Sequence, residues 1–375
     1  MSQVAWEEIR ARFGWQGPAA YLNTAAEGLW LRDADRALAR YAEAKTRGAL
    51  GRPALAEIET EARAAVARLL GGDAADIAFV SSTSRALDVA VSLADIAPGS
   101  NVVMLDSEFP SALVTGHRLR ENGVELRLVP AIGTTAGEAE LAARVDDATA
   151  AVIVSSVSFL TGRRVDIAAL RALLGQGGPV LIVDGIQSTG LLELPLDAID
   201  VLVFGTYKWL LGPHGLAVVH RNPRTMADRE PAYRGWRGVA DPFAGDRLER
   251  SLLHPDARRL EDGMPNYLGL AVLVESLAFL ETLGTAARAE RTAELTAALV
   301  AGLGARGIDA GPAEPDRRVG IVTIPMPDAE DVAARLAGQG FHVWGREGVL
   351  RVSPYIYNTV DELERLAAAI PEPGR

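Results

Sequence analysis

The 375-residue sequence predicts an α/β protein with a mostly parallel, seven-stranded sheet sandwiched by helices, followed by a smaller α+β C-terminal domain. Two observations lead to this prediction. Between about residues 75 and 220, short runs rich in β-branched residues alternate with helical patterns. These runs are continuously apolar, which is typical of parallel strands that helices cover on both faces.

The predicted elements follow one another in a regular order. Two long helices come first, at residues 31–50 and 53–70; Pro53 suits a first helical position, and Gly71 and Gly72 suit a helix end. The seven strands are predicted at residues 77–80, 101–105, 124–129, 151–154, 180–183, 201–204 and 216–220. Helices at 84–94, 111–122 and 166–174 lie between several of them.

Residues 222–262 lack periodicity and are rich in Pro, Arg, Gly and aromatic residues, which favours an ordered loop over a disordered linker. Helices are predicted beyond it at 265–283, 285–303, 328–338 and 359–370, with strands at 318–324, 341–344 and 349–352. We therefore predict three parts: an N-terminal helical arm that packs on the small domain, a large domain and a small C-terminal domain, at residues 1–20, 21–264 and 265–375.

Composition excludes several classes of function. The net charge of −11 argues against nucleic acid or an anionic membrane as the main partner. The absence of cysteine excludes disulfides, thiolate metal sites and a cysteine nucleophile. The N-terminus is acidic and unlike a signal peptide, and the apolar stretch at 268–280 is too short to span a bilayer. We expect a cytoplasmic protein without a membrane partner.

Lys208 is one of two lysines, with Lys45, among 38 basic residues. Arginine cannot give up its proton near neutral pH, so it cannot act as an amine nucleophile. Lys208 follows a predicted strand among glycines and aromatic residues, which indicates amine chemistry. Lys45 lies in a polar helical stretch and is interpreted as a solvated surface residue.

Polar residues cluster after the predicted strands, where doubly wound sheets bind their ligands. They are Ser81 to Ser84, Ser107 to Ser111, Ser155 to Phe159, Asp184, Gln187 and Lys208. Alternatives exist: Ser84 could be only a helix N-cap, and Asp184 could bind magnesium. No phosphate-binding G-x-x-x-x-G-K-[ST] loop accompanies Asp184, and the five histidines show no metal-ligand spacing, so no metal site is predicted.

One ligand accounts for this set of side chains. Pyridoxal 5′-phosphate needs hydroxyls at a helix start for its phosphate and a carboxylate that keeps its pyridine nitrogen protonated. It also needs an aromatic face for its ring and a lysine for its aldehyde. The sequence therefore predicts this cofactor.

Seven segments then carry a resemblance to a known family. They are YLNTAA at 21–26, STS at 82–84, EFPS at 108–111, VDGIQS at 183–188, YKWLLGP at 207–213, GMPN at 263–266, and LRVSP at 350–354 with YNT at 357–359. In this order they resemble the class V aminotransferase family, the cysteine desulfurase-like and kynureninase-like group of fold type I pyridoxal-phosphate enzymes.

The resemblance implies a role for each matching residue. Lys208 would bond covalently to the cofactor's aldehyde and then move the proton at the substrate's α-carbon. The remaining cofactor contacts would come from Thr83, Ser84 and Tyr207 at the phosphate, Asp184 at the pyridinium, Gln187 at the 3′-oxygen and Phe109 over the ring.

The resemblance also implies how a substrate binds. Arg351 would clamp its α-carboxylate, with a surface salt bridge as the alternative, and Ala25 and Ala26 would lie beside it. Arg234 and Arg237 are further candidates for a distal acid of the substrate, although loop arginines are usually solvated.

Three departures from the family's pattern limit what can be carried over. Without cysteine, the persulfide chemistry of a cysteine desulfurase is impossible in its usual form. Tyr207 replaces a phosphate-binding histidine. Met264 replaces a threonine that reaches the phosphate of the other subunit, so that contact is in doubt, although a homodimer is still expected.

The implied function is pyridoxal-phosphate-dependent chemistry on a small amino acid or amine, through a covalent adduct and an α-carbanion. Transamination is the first interpretation, and a carbon–sulfur lyase reaction by β-elimination or an epimerisation is the alternative. A non-catalytic cofactor-binding protein is disfavoured, because Lys208, Asp184 and Arg351 are all present.

Overall fold

The computed structural model describes residues 4–15, 20–132, 136–312 and 314–372. Its strands are β1 (Ala20–Tyr21), β2 (Ile77–Val80), β3 (Asn101–Leu105), β4 (Glu125–Val129), β5 (Thr149–Ser155), β6 (Val180–Asp184), β7 (Val201–Gly205), β8 (Ala217–Arg221), β9 (Val322–Pro325), β10 (Phe341–His342), β11 (Trp344–Arg346) and β12 (Val349–Val352). Its helices are α1 (Trp6–Ala11), α2 (Asp35–Thr46), α3 (Arg52–Leu70), α4 (Thr83–Leu93), α5 (Pro110–Glu121), α6 (Glu138–Ala142), α7 (Ile167–Leu174), α8 (Tyr267–Leu283), α9 (Thr285–Gly304), α10 (Ala329–Gly338) and α11 (Val360–Ala369).

The central sheet has seven strands in the order β2-β8-β7-β6-β5-β3-β4. β8 is antiparallel to β2 and β7, and the remaining neighbours are parallel. The predicted α/β architecture with a mostly parallel, seven-stranded sheet is confirmed.

Alternate residues of the sheet face two separate apolar cores, because successive side chains of a strand point to opposite faces. In β6, Leu181 and Val183 join one core and Ile182 joins the other. The first core includes residues of α3 and α8, and the second includes residues of α4 and α5. Helices therefore cover both faces, which explains why the strands are apolar throughout.

The C-terminal part has its own sheet, β11-β12-β9, and its own core. β1, from the other end of the chain, pairs in parallel with β10 and forms a separate two-stranded sheet. Arg10, at the end of α1, pairs with Glu362 of α11 at 2.6 Å. Trp6 and Ile9 of α1 also pack against the core of the central sheet. The predicted packing of the N-terminal arm on the small domain therefore stays a prediction, and residues 1–3 and 16–19 of that arm lie outside the described residues.

The long helices α8 and α9 divide between the two cores. Leu270 and Leu277 of α8 belong to the core of the central sheet, and α8 packs on α2 and α3. Leu295 and Leu299 of α9 belong to the C-terminal core. The domain boundary near residue 265 thus stays a prediction, and these contacts favour a position between the two helices.

No single helix of the described ranges is long and apolar enough to cross a membrane, although α8 and α9 together, bent by 79°, have the necessary length and composition.

Ion pairs anchor part of the segment at residues 222–262 to α3. Arg237 donates two bonds of 2.7 Å to the carboxylate of Glu59. Glu59 also binds Arg63, which in turn binds the buried Glu261 at 2.8 Å. These ion pairs are consistent with an ordered loop, the interpretation that the sequence favoured.

The segment at residues 22–28 passes between the central sheet and the C-terminal part. Asn23 bridges to Ser353 beyond β12, and the Gly28 N–H donates to the Tyr207 carbonyl at 2.9 Å. A Cβ at Gly28 would lie 2.2 Å from the Lys208 carbonyl oxygen. Only glycine fits at this crossing without displacing the backbone.

We expect Gly28→Ala to destabilise the protein by about 1–3 kcal/mol, because the added methyl overlaps the Lys208 backbone. Its midpoint of thermal unfolding, followed by circular dichroism, should fall by several degrees. The control is Gly304→Ala at the end of α9, where no atom lies within 4 Å of the added Cβ and no loss of stability is expected. An equal midpoint for the two variants would contradict this account of the crossing.

Candidate active site

Lys208 lies three residues beyond the end of β7 and is buried, with only 5% of the residue exposed. Its Nζ lies 5.5 Å from the centre of the Phe109 ring and 5.8 Å from that of Tyr207. Burial and the positive charge of Arg351 lower the pKa of the amine to about 7, and Asp184 opposes them. A substantial fraction of Lys208 is therefore neutral near pH 7.

Asp184 ends β6, the strand beside β7, and its carboxyl is buried. Burial raises its pKa, while the Ile186 N–H, which donates to Oδ1 at 2.9 Å, and the charge of Lys208 lower it. A buried carboxylate of this kind favours a cationic partner, because an opposite charge offsets its lost hydration. The predicted pyridinium would be such a partner.

Gln187 is held at both ends of its side-chain amide. The indole N–H of Trp209 donates to Oε1 at 2.9 Å, and Nε2 donates to the Ala25 carbonyl at 3.0 Å. An indole only donates and a carbonyl only accepts, so these partners fix the orientation of the amide. One N–H of Nε2 is left to donate to a ligand oxygen, as the predicted contact requires.

The helix α4 begins at the predicted phosphate site. Ser82, and not Ser84, is its N-cap, since the Ser82 Oγ accepts from the Arg85 N–H at 3.2 Å. Ser84 is exposed and shares a 2.9 Å hydrogen bond with Ser111. Within the described part of the chain, the buried Thr83 Oγ1 has no hydrogen-bond partner. An orphan hydroxyl at a helix N-terminus fits a phosphate oxygen.

Tyr207 and Gly205 complete this end of the site. A Cβ at Gly205 would lie 2.8 Å from Thr83 Oγ1 and 3.1 Å from the Tyr207 ring, so a side chain there would fill the space. Burial raises the pKa of Tyr207, which keeps its phenol protonated as a donor. Its ring stacks on His214, with centroids 4.5 Å apart; the sequence did not single out this histidine.

Arg351, in β12, is 3% exposed, so the alternative of a surface salt bridge is wrong. Its Nη1 donates to the Phe159 carbonyl at 2.8 Å and its Nη2 to Asn23 Oδ1 at 3.2 Å. Its guanidinium lies 4.8 Å from the centre of the Trp344 ring. Burial lowers its pKa to about 10, which still leaves it cationic at neutral pH.

The guanidinium of Arg351 retains donors for a ligand. Its buried Nε has no hydrogen-bond partner among the described residues, and each Nη uses one of its two hydrogens. Since a carboxylate takes two parallel N–H bonds from arginine, this arrangement fits the predicted α-carboxylate clamp.

The other residues predicted to bind substrate differ in their placement. Ala25 is buried and donates its N–H to Ser353 Oγ at 2.9 Å, while its carbonyl accepts from Gln187. Both backbone polar groups of Ala25 are therefore already hydrogen-bonded within the protein. Ala26 is half-buried in the next position of the same turn. Arg234 and Arg237 are paired with Glu230 and Glu59, and so a role for them in reading a distal acid is not supported.

Glu108 is a buried acid to which the sequence assigned no role, although it lies in the EFPS segment. It accepts from the Ser155 N–H at 2.9 Å and also binds the Ser155 hydroxyl. Ser155 lies opposite Asp184 in the sheet. Burial raises the pKa of Glu108 to about 7, the two bonds from Ser155 lower it, and the charge of Asp184 raises it.

This shift makes the stability of the protein depend on pH. Glu108 ionises near its ordinary pKa of 4.5 when unfolded but near 7 when folded, so its stabilising contribution is present below pH 4.5 and lost as pH rises through 7. Glu108→Gln removes this loss. Relative to the original protein, we expect the variant to gain roughly 3 kcal/mol of unfolding free energy between pH 4.5 and 8.

Denaturant unfolding of the cofactor-free protein at both pH values measures this change. The control is Glu121→Gln at the exposed end of α5, which removes a carboxyl outside the core. A pH-independent difference between Glu108→Gln and the original protein would mean that folding does not raise the pKa of Glu108.

The described residues contain no group of three His, Asp or Glu side chains placed to hold a metal ion. Four of the side chains predicted to bind cofactor or substrate lie near enough to Lys208 to contact it or to shift its pKa: Phe109, Tyr207, Asp184 and Arg351.

Comparison with known proteins places this arrangement in a family. The pattern of the family described as Aminotransferase class-V matches residues 35–366. Isopenicillin N epimerase from Streptomyces clavuligerus is 29% identical to this chain over an alignment of 397 positions, gaps included. The alignment covers 99% of this chain and 98% of that protein.

Two solved structures share the fold. The apo structure of cysteine desulfurase from Thermococcus onnurineus NA1 superposes with a TM-score of 0.87 at 23% identity and covers 98% of this chain and 97% of its own. The cystine C–S lyase C-DES, in a variant with glycine covalently linked to its PLP cofactor, has a TM-score of 0.86 at 22% identity, with 96% and 98% covered.

The family pattern covers most of the chain, including all seven strands of the central sheet and Lys208. It confirms the predicted cofactor, pyridoxal 5′-phosphate, because the family depends on it. The orphan Thr83 hydroxyl, the buried Asp184 and the low pKa of Lys208 fit that cofactor. The chain belongs to the aminotransferase class-V family.

Proposed function

We propose that the protein is an enzyme that transforms the α-carbon of a small amino acid or amine, with transamination as the first choice. The observation that carries this proposal is the buried amine of Lys208, with its pKa lowered to about 7, between Asp184 and Arg351. An amine of this kind is a nucleophile at neutral pH and afterwards a base of suitable strength.

The residues around Lys208 would hold the cofactor from three sides. Thr83, Ser84 and Tyr207 would bind its phosphate, Asp184 and Gln187 the edge of its ring, and Phe109 the face of its ring. When bound, pyridoxal 5′-phosphate supplies an aldehyde that condenses with amines and a ring that withdraws electrons from the α-carbon.

The chain's own side chains would then share the work. Arg351 would bind the α-carboxylate and so orient the α-carbon, while the amine of Lys208 would take the α-proton and return it. The carboxylate of Asp184 would supply negative charge at the edge of the site. Phe109 would exclude water from the cofactor, which would strengthen the electrostatic interactions there.

Epimerisation is the second candidate, because the relative named isopenicillin N epimerase matches nearly the full length of both chains. Elimination by a carbon–sulfur lyase is a further alternative, named for a protein of the same fold. All three reactions begin with loss of the α-proton, so they differ only in where that proton and the electron pair go. A homodimer and a cytoplasmic location are part of the proposal.

Lys208→Ala should abolish the visible absorption band that pyridoxal 5′-phosphate gives when it bonds to the protein, since no other buried amine is available among the described side chains. The matched control is Lys45→Ala on the exposed surface of α2, which should keep the band. Absorption spectra of both variants with added cofactor measure this. A band that survives in Lys208→Ala would overturn the assignment.

Single amino acids, incubated with the holoenzyme, distinguish the three reactions. Transamination forms pyridoxamine phosphate and a keto acid, elimination forms pyruvate and ammonia, and epimerisation changes only the optical rotation. We expect transamination.

Arg351→Lys should lower kcat/KM for transamination by about tenfold to a hundredfold, because lysine cannot bind the α-carboxylate of the substrate through two parallel N–H bonds. Pyruvate and ammonia without pyridoxamine phosphate would exclude transamination.

A further inference from the structure

Two aromatic residues connect the surroundings of the Lys208 amine with those of the Arg351 guanidinium. The rings of Phe109 and Phe159 pack edge to face, with centroids 5.0 Å apart and planes at 88°. Lys208 Nζ lies 5.5 Å from the Phe109 ring. Phe109 is 39% exposed and Phe159 is half-buried, so both residues retain accessible surface. We refer to these two rings as the aromatic wall.

Phe159 contacts Arg351 through its backbone and Phe109 through its side chain. Its carbonyl oxygen accepts the 2.8 Å bond from Arg351 Nη1, while its ring contacts Phe109. The backbone therefore orients the carboxylate clamp, and the side chain determines the polarity of the neighbouring wall. A substitution at residue 159 can change the wall and leave the carbonyl in place.

The charges around Lys208 disfavour a second acid on the substrate. Arg351 and Asp184 are the charged groups that shift the pKa of Lys208, and Arg351 is needed for the α-carboxylate. A side-chain carboxylate placed against the two phenyl rings would lose hydration, and the charged groups that shift the pKa of Lys208 include no second cation to compensate for that loss.

We propose that Phe159, together with Phe109, makes the site selective for α-amino acids with an apolar side chain over those with an acidic one. The inference rests on the proposed function, since it assumes that a substrate bridges Lys208 and Arg351. It makes Phe159 a specificity-determining residue, which contacts the side chain of the substrate and not its reacting bonds.

Binding of two amino acids of equal shape tests the proposal. The α-methyl derivatives of leucine and aspartate have side chains of the same branching and number of heavy atoms, and neither carries an α-hydrogen, so both bind without losing an α-proton. Their dissociation constants follow from the shift in the absorption band of the holoenzyme. We expect α-methylleucine to bind at least about tenfold more tightly than α-methylaspartate.

Two variants of equal size locate the preference. Phe159→Leu should retain most of the ratio, whereas Phe159→Asn, which replaces the ring by a polar group, should reduce it to about threefold or less. The control ligand, 2-aminoisobutyrate, has only methyl groups on its α-carbon and should bind the original protein and both variants within about threefold, because the clamp uses the backbone of residue 159.

Each outcome decides the question. Equal or tighter binding of α-methylaspartate by the original protein, or an unchanged ratio in Phe159→Asn, would overturn the proposal. Loss of 2-aminoisobutyrate binding in both variants would also overturn it, since Phe159 would then act through the clamp. Absence of the Lys208-dependent band from the original holoenzyme would instead refute the proposed function, so the two failures are distinguishable.

Discussion

The placement of an amine, a carboxylate and a guanidinium in one poorly hydrated space is the constraint on which the site depends. Burial lowers the pKa values of Lys208 and Arg351 and raises that of Asp184, so the charged form of each group is less stable in the free protein than in water. Proteins keep such arrangements at the expense of stability, because a ligand can supply the missing counter-charges. The hydroxyl of Thr83, left without a partner in the described structure, belongs to the same pattern.

Much of the fold could be predicted from the sequence because the central strands are buried on both faces. The observed bounds of β2 and β3 equal the predicted ones, and most other strands of the central sheet differ from their predicted bounds by one or two residues at an end. The predicted first helix, at residues 31–50, is interrupted: α2 covers only Asp35–Thr46, and short 3-10 turns flank it. The affiliation of α8 could not be read from its pattern, because a helix that is apolar on nearly all sides gives no sign of which core it joins.

The candidate site was predictable where a residue's type and its position after a strand restrict the chemistry. Lys208, Asp184 and Gln187 are such residues; the structure gives the contacts that hold each of them, and their roles stay predictions. The contributions of Asn23, Phe159 and Glu108 depend on contacts between segments far apart in the chain, such as Asn23 with Arg351. No local pattern carries that information. The helix cap at Ser82 was missed for a different reason, since three of the four residues from 81 to 84 are serines and any of them suits a cap.

The short segment at residues 22–28 joins two parts of the molecule that carry different halves of the chemistry. Its Asn23 side chain holds Arg351, its Ala25 carbonyl holds Gln187, and its Gly28 N–H holds the backbone just before Lys208. Displacement of the C-terminal sheet would therefore pull on the amine's own backbone through a few peptide units. The guanidinium of Arg351 and the amine of Lys208 are thus mechanically linked through this segment. A change in the position of one of them during evolution would require an adjustment at the other.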